Sequence, residues 1–315
     1  MYAPIIIFVY NRVDRVKQLV ESLSKNLEAK DSELYIFSDG AKSESGMQRV
    51  EEVRDYVEGI PKMGLFKNVF IDKAIKNRGL AESIIYGVSR VMNQFGKAII
   101  IEDDNMVAPD FLDYMNRGLD FYENDSSVWA IGGFSRNMKF PIDYKYDVFC
   151  AQRISSYTWA SWKDRWDKTE WNIEKYYPEF LWNRIARKKF DEWGEDRSLM
   201  LDAQMCGTIS SWAIRFEYTM VQNDMYCVLP CISKAECSGN DGSGTHGDKV
   251  IHDFDTKMSD GSKRVKFEKV EPDERIRQEF IKPYMRKWKR KIFGNIDFKV
   301  LYYKKYKDKK NEFNK

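Results

Sequence analysis

Over residues 1–133 the chain alternates short, unbroken apolar runs with stretches of helical spacing. Ile5–Tyr10 is apolar throughout, the pattern of a strand buried on both faces. Val13, Val16, Leu19, Val20, Leu23 and Leu27 then recur at the spacing of one helix face. Glu33–Ser38 predicts a second strand, ended by Asp39-Gly40. A helix over 47–57, a strand over 66–72 and a helix over 80–95 follow. Lys97–Ile101 is a further buried strand that stops abruptly in Glu102-Asp103-Asp104. Pro109 opens a helix with Phe111, Leu112, Met115 and Leu119 on one face, and Val128–Ile131 is a strand closed by Gly132-Gly133. This alternation predicts an α/β fold with a doubly wound sheet. In such sheets ligands sit at the carboxyl ends of the strands, where the strand order reverses. Tyr10-Asn11-Arg12, Asp39-Gly40 and Glu102-Asp103-Asp104 each follow a strand's carboxyl end, so the three are expected to form one site.

From Phe134 to Cys231 the pattern changes to one that reads as aromatic-rich helices and loops. Trp159, Trp162, Trp166, Trp171, Trp182, Trp193 and Trp212 place seven of the nine tryptophans there, and flat rings with a polar edge are what a sugar face packs against; core packing is the ordinary alternative. Residues 241–247 (DGSGTHG) form a glycine-rich loop. The chain therefore divides into residues 1–133, 134–278 and a tail over 279–315. In that tail Ile281, Tyr284, Met285, Trp288 and Ile292 fall on one face of a predicted helix ringed by Lys and Arg, which suits an anionic membrane surface.

Charge sharpens this division. The 13 Lys and Arg between Lys282 and Lys315 outweigh three acids, so +10 of a total of +3 lies in the tail and −7 is left on the body. An acidic body excludes general nucleic-acid binding. Five cysteines without a CxxC pair fit reduced thiols in the cytoplasm, and the irregular spacing of Cys227, Cys231, Cys237 and His246 argues against zinc. No run of 18 apolar residues occurs, so the expected location is cytoplasmic, with the tail peripheral on the inner face of the membrane.

Three acids crowded after a buried strand repel one another unless a cation neutralises them, and hard cations such as Mg²⁺ or Mn²⁺ bridge carboxylate and diphosphate oxygens. This acidic triplet, preceded by Asn77-Arg78-Gly79-Leu80-Ala81 and a helix, resembles the GT-A glycosyltransferases of the Glu-Asp-Asp group. That group includes the Golgi enzyme adding N-acetylglucosamine to N-glycan cores and bacterial polysaccharide relatives. The resemblance covers residues 3–135 and resumes in residues 156–162, 211–215 and 239–246. It implies a GT-A fold and transfer from a nucleotide-sugar donor, UDP favoured, to a glycan or lipid-linked saccharide. Asp104 would bind the metal, Asp103 the ribose or donor sugar, and Arg12 and Asp39 the nucleobase and ribose. Arg78 would lie close by, Tyr10, Gly79 and Glu102 would complete the nucleotide-sugar site, and His246 would supply a further metal contact. Trp159, Trp162 and Trp212 are the candidates for acceptor binding.

An inverting transfer also needs a carboxylate base near the acceptor hydroxyl. Relatives carry Asp just before the position of Trp212, where this chain has Ser210-Ser211. Asp202 and Asp241 are the remaining candidates, Asp202 foremost. Two alternatives stay open: a non-catalytic nucleotide-sugar-binding protein, and a nucleotidyltransferase. The absence of glycine in Tyr10-Asn11-Arg12-Val13-Asp14-Arg15 counts against the latter.

Overall fold

The computed structural model describes residues 2–237 and 256–285. Four strands, β1 (Ile5–Val9), β2 (Glu33–Ser38), β3 (Asn68–Lys73) and β4 (Lys97–Glu102), pair in parallel in the order β3-β2-β1-β4. Helices α1 (Val13–Ser24), α2 (Glu44–Gly59) and α3 (Leu80–Phe95) connect them. The order runs outward from β1 in both directions, so the reversal falls between β1 and β4. This is the doubly wound α/β arrangement that the alternation predicts.

Strand alternation separates two cores. Ile5, Ile7 and Val9 of β1, with Ile99 and Ile101 of β4, pack on one side of the sheet; Ile6, Phe8, Ala98 and Ile100 pack on the other. Each isoleucine, valine or phenylalanine among them, buried whole, contributes about 1.5–3 kcal/mol. Both faces are covered, which explains why these strands are apolar without interruption.

After the triplet come β5 (Asn105–Val107), α4 (Phe111–Tyr122), β6 (Val128–Gly132), β7 (Val148–Ala151), β8 (Thr158–Trp162) and α5 (Lys163–Trp166). They are followed by α6 (Tyr177–Trp182), α7 (Arg184–Asp191), α8 (Arg197–Met205), α9 (Trp212–Gln222), β9 (Tyr226–Pro230), β10 (Ala235–Cys237) and α10 (Glu274–Phe280). Residues 134–231, read from sequence as helices and loops, thus contain three strands as well. β7, β8 and β9 join β6 to extend the same sheet to eight strands, in the order β4-β8-β6-β9-β7. β8 runs antiparallel to β4, and its buried Thr-Trp-Ala-Ser-Trp sequence is strand-like in its aromatic content. β10 pairs antiparallel with β5, which ties the segment after the triplet to the later part of the chain.

The predicted helix over residues 281–292 is not formed in its described part. α10 ends at Phe280, and a short 3-10 turn over Lys282–Tyr284 holds Pro283, which cannot donate to a preceding turn. Ile281 and Tyr284 pack against the core rather than facing outward, and residues 286–315 lie outside the described residues. Among the described residues no helix is long and apolar enough to cross a membrane.

A third core joins α6, α7, α8 and α9 through Tyr177, Phe180, Phe190, Leu201 and Tyr218. At its centre lies Asp202, 1% exposed. Its Oδ1 accepts from Arg187 Nη1 (2.8 Å) and from the Tyr177 hydroxyl (2.8 Å), and its Oδ2 accepts from Arg187 Nη2 (2.7 Å). A carboxylate so enclosed and bonded has no route to an acceptor hydroxyl. Asp202, the leading sequence candidate for the base, is therefore a structural residue. Asp202→Asn is expected to leave the Arg187 cation buried without its counter-charge and to lower unfolding free energy by about 3–5 kcal/mol in urea titrations. A stability within about 0.5 kcal/mol of wild type, together with a steep loss of turnover, would return Asp202 to the role of base.

Candidate active site

The reversal between β1 and β4 opens a crevice at their carboxyl ends, and the register Phe8↔Glu102 brings the two ends level. On the β2 side, the chain leaving the strand is organised by Asp39. Its Oδ1 accepts from the backbone N–H of Gly40 (2.8 Å) and of Arg78 (2.8 Å). Its Oδ2 accepts from Asn77 Nδ2 (3.0 Å) and from the Gly79 N–H (2.9 Å). Four donors reach this one carboxylate, so Asp39 shapes the 77–79 loop. Gly40 is required where it stands, because a Cβ there would lie 2.6 Å from the Lys76 carbonyl carbon. Gly79 adopts φ +79°, a left-handed conformation ahead of α3. Arg78 turns to the edge of the sheet, its guanidinium 4.2 Å from the Tyr86 ring centroid and 3.9 Å from an Asp72 oxygen.

Two acids of the triplet meet at one arginine nitrogen. Arg12, on the loop after β1, donates through Nη2 to Asp103 (2.8 Å) and to Asp104 (3.1 Å). The cation that relieves repulsion within the triplet is thus a guanidinium. Burial opposes the charge on Arg12, but Asp103 and Asp104 outweigh it and raise its pKa. Asp103 is buried, which pushes its carboxyl up to about 6 against the pull of Arg12 and of the Tyr10 backbone N–H. Glu102, still within β4, points elsewhere and accepts from the Trp212 indole N–H. Burial, then Asp104 and Asp103, hold the Glu102 carboxyl well above the usual carboxylate range, against Arg12 and Trp212.

Two buried atoms beside the triplet lack partners: Arg12 Nη1, a donor, and Asn105 Oδ1, an acceptor. The Asn105 amide is fixed by donation to the Glu102 and Tyr157 carbonyls (3.0 and 3.1 Å). Among the described residues no group of three or more His, Cys, Asp or Glu side chains could hold a metal. The oxygens at Asp104 and Asn105 suit a hard cation bound through one or two protein ligands plus substrate phosphates, the usual way Mg²⁺ is held.

Beyond Tyr157 lies a cavity of about 180 Å³, with Phe134, Ser135, Arg136, Arg153, Ile154 and Glu217 in its wall. It abuts the triplet through shared pieces: the Tyr157 carbonyl accepts the Glu102 N–H (3.2 Å), and Ala213 in the wall follows Trp212. Glu217 Oε1 accepts the Ile154 N–H (3.0 Å) and Oε2 lies 3.2 Å from Arg197 Nε. Arg153 grips Asp196 through both terminal nitrogens (2.8 and 2.9 Å). Sequence reasoning missed Arg153, Arg197 and Glu217, because nothing in their spacing marks residues that meet only when the loop after β7, α8 and α9 come together.

The tryptophans selected for acceptor binding are core residues. Trp159 is fully buried, with Trp212 stacked at 4.9 Å and Trp166 at 5.7 Å, and Trp162 is 2% exposed beneath the Arg165 guanidinium. A ring packed on its faces cannot take a sugar. Trp212 reaches the site only through the N–H that holds Glu102. Ser211 caps α9, its hydroxyl accepting from the Ile214 N–H at 3.3 Å. Asp241 and His246 lie outside the described residues.

Comparison with known proteins adds the following. The chain is 28% identical over 88 residues to an Arabidopsis thaliana protein named alpha-1,3-mannosyl-glycoprotein 2-beta-N-acetylglucosaminyltransferase, a match covering 25% of this chain. It spans about a fifth, 20%, of that relative's length. Among solved structures it is similar to S. aureus TarS 1–349 (11% identity, 76% of this chain and 61% of that one, TM-score 0.42). It is also similar to the Pyrobaculum calidifontis mannosyltransferase PcManGT in complex with GDP-Man and Mn²⁺ (14% identity, 52% and 45%, TM-score 0.37). The GNT-I family matches residues 1–202, more than half of the chain and all of the strand ends that carry Arg12, Asp39 and the acid triplet; the chain belongs to the GNT-I family.

Proposed function

We propose that this chain is an inverting glycosyltransferase that moves a sugar from a UDP-linked donor to a glycan hydroxyl. The observation that carries this reading is the Arg12–Asp103–Asp104 cluster at the sheet's reversal point, with a buried guanidinium N–H still unpartnered beside it. A diphosphate offers oxygens to that N–H, and its place at the carboxyl ends of parallel strands is where nucleotides bind such sheets. Family membership supports the same reading, and the name of the Arabidopsis relative makes N-acetylglucosamine the first sugar to test.

In this reading the acceptor hydroxyl oxygen attacks the anomeric carbon, the bond from that carbon to the diphosphate breaks, and UDP leaves with the bonding electrons. The chain's part is to hold the donor and to take the hydroxyl proton. Asp39 fixes the 77–79 loop over the nucleotide end, and Arg12 pairs the anionic group that approaches Asp103. A divalent cation, Mn²⁺ or Mg²⁺, would be held by Asp104, with His246 as a further ligand, and would neutralise the diphosphate. Glu217 is the one carboxylate among the described residues lining the cavity, and both its oxygens are engaged. With Asp202 enclosed, Asp241 is left as the proposed base. If no group fills that role, the protein binds nucleotide sugar without turning it over.

Asp104→Ala is expected to weaken Mn²⁺-dependent binding of UDP-N-acetylglucosamine about a hundredfold or more, beyond the usual loss of an outer-shell partner, with the thermal midpoint of the unliganded protein held. Calorimetric titration with and without Mn²⁺ reads this, and unchanged affinity and metal dependence would refute the assignment. Asp241→Asn is expected to lower kcat by about 10²–10⁴ with donor affinity unchanged, since a base acts in the transition state. Wild-type turnover in that variant removes Asp241; donor binding without any wild-type turnover selects the non-catalytic alternative.

A further inference from the structure

We propose that the cavity behind Tyr157 receives an uncharged sugar unit of the acceptor that carries a methyl group, either as a 6-deoxy carbon or within an acetamido substituent. This deepens the glycosyltransferase reading and rests on it. At about 180 Å³ the cavity has the room of about six water molecules at ~30 Å³ each, enough for one sugar ring and too little for a chain of them. Phe134 and Tyr157, in edge contact at 4.8 Å between centroids, form one part of its wall.

The charged groups of the wall are each met by an opposite charge among the described residues. Arg153 grips Asp196 through both terminal nitrogens, and Glu217 faces Arg197 at 3.2 Å. Arg136 stands against the Glu279 carboxylate, whose pKa is lowered first by its hydrogen bond to Lys282 and then, against burial, by the charges of Lys282 and Arg136. All three arginines thus have a carboxylate. A charged ligand would leave water for this pocket without a counter-charge to receive it, which is costly.

Uncharged contacts remain open. Ser135 Oγ and Ser155 Oγ line the cavity, are buried and have no hydrogen-bond partner. Each serine turns about one bond, and its hydroxyl can both donate to and accept from a sugar hydroxyl. Much of the remaining wall is apolar, with Ile154, Met200, Ile214, Leu229 and Phe280 joining the two rings. A plain hexose carries a hydroxyl on nearly every carbon, and those turned to this apolar wall would lose water without gaining a partner. A methyl group in the same place is buried at a gain. A 6-deoxy or an acetamido sugar combines that methyl group with hydroxyls enough for the two serines.

The test measures dissociation constants of glucose, 6-deoxyglucose, N-acetylglucosamine and glucuronate by ligand-observed NMR, on the full chain saturated with UDP-N-acetylglucosamine and Mn²⁺. 6-Deoxyglucose or N-acetylglucosamine is expected to bind about fourfold or more tightly than glucose, the gain of burying one methyl group, and glucuronate more weakly than glucose. The two arms tell a 6-deoxy from an acetamido preference. Ser135→Ala and Ser155→Ala are each expected to weaken the favoured sugar about two- to tenfold, the range of one neutral hydrogen bond. No such advantage for either methyl-bearing sugar, glucuronate as tight as glucose, no binding of any, or an affinity untouched when both serines are replaced would each overturn the proposal. Donor binding is read separately on the same samples. Its persistence in every variant shows them folded, and its absence in wild type strikes the donor reading while the sugar constants still decide this one.

Discussion

Three carboxyl groups in succession at the end of a strand buried between two others set the central constraint of this molecule. Moving charges of one sign out of water is costly unless an opposite charge and hydrogen bonds meet them. The chain answers with Arg12, which bridges Asp103 and Asp104 from the loop after β1, and with the Tyr10 N–H on Asp103. Both contacts exist only because β1 lies parallel to β4 in the register Phe8↔Glu102. Glu102 is handled separately, by the Trp212 indole N–H from α9. The pairing of β1 with β4 and the docking of α9 thus both serve to make the acid cluster tolerable.

The two halves of the sheet divide the work. The parallel half presents rigid strand ends, and Asp39 spends its hydrogen bonds on the loop that flanks them. The mixed half supplies a packed tryptophan cluster and the cavity beyond Tyr157. Its aromatic richness is structural: Trp159, Trp166, Trp212 and Phe216 form one buried stack against which Glu102 is positioned.

Much of this was legible in the chain itself. Short apolar-rich runs, each ended by Asn, Gly or acid, read as buried strands, and apolar positions at helical spacing as helices, so β1, β2, β4 and the helix over Leu80–Phe95 followed from periodicity. The grouping of Arg12, Asp39 and the triplet at carboxyl ends followed from the topology those elements imply. What periodicity could not decide was the identity of β7, β8 and β9, whose aromatic sequences fit a buried helix as well as a strand until a neighbouring strand takes up their hydrogen bonds. Side-chain roles were likewise hidden. Asp202 and Trp159 carry the right chemistry for a base and a sugar platform, and only the packing of Arg187, Tyr177 and Trp212 around them shows that chemistry to be enclosed. The sequence by itself determined which residues carry charge, ring or hydroxyl and which strands are buried, because those depend on local pattern. Tertiary structure decided which of these groups are engaged and which remain open, because engagement depends on partners far away in the chain: Arg12 lies 91 residues from Asp103, and Ile154 lies 63 from Glu217.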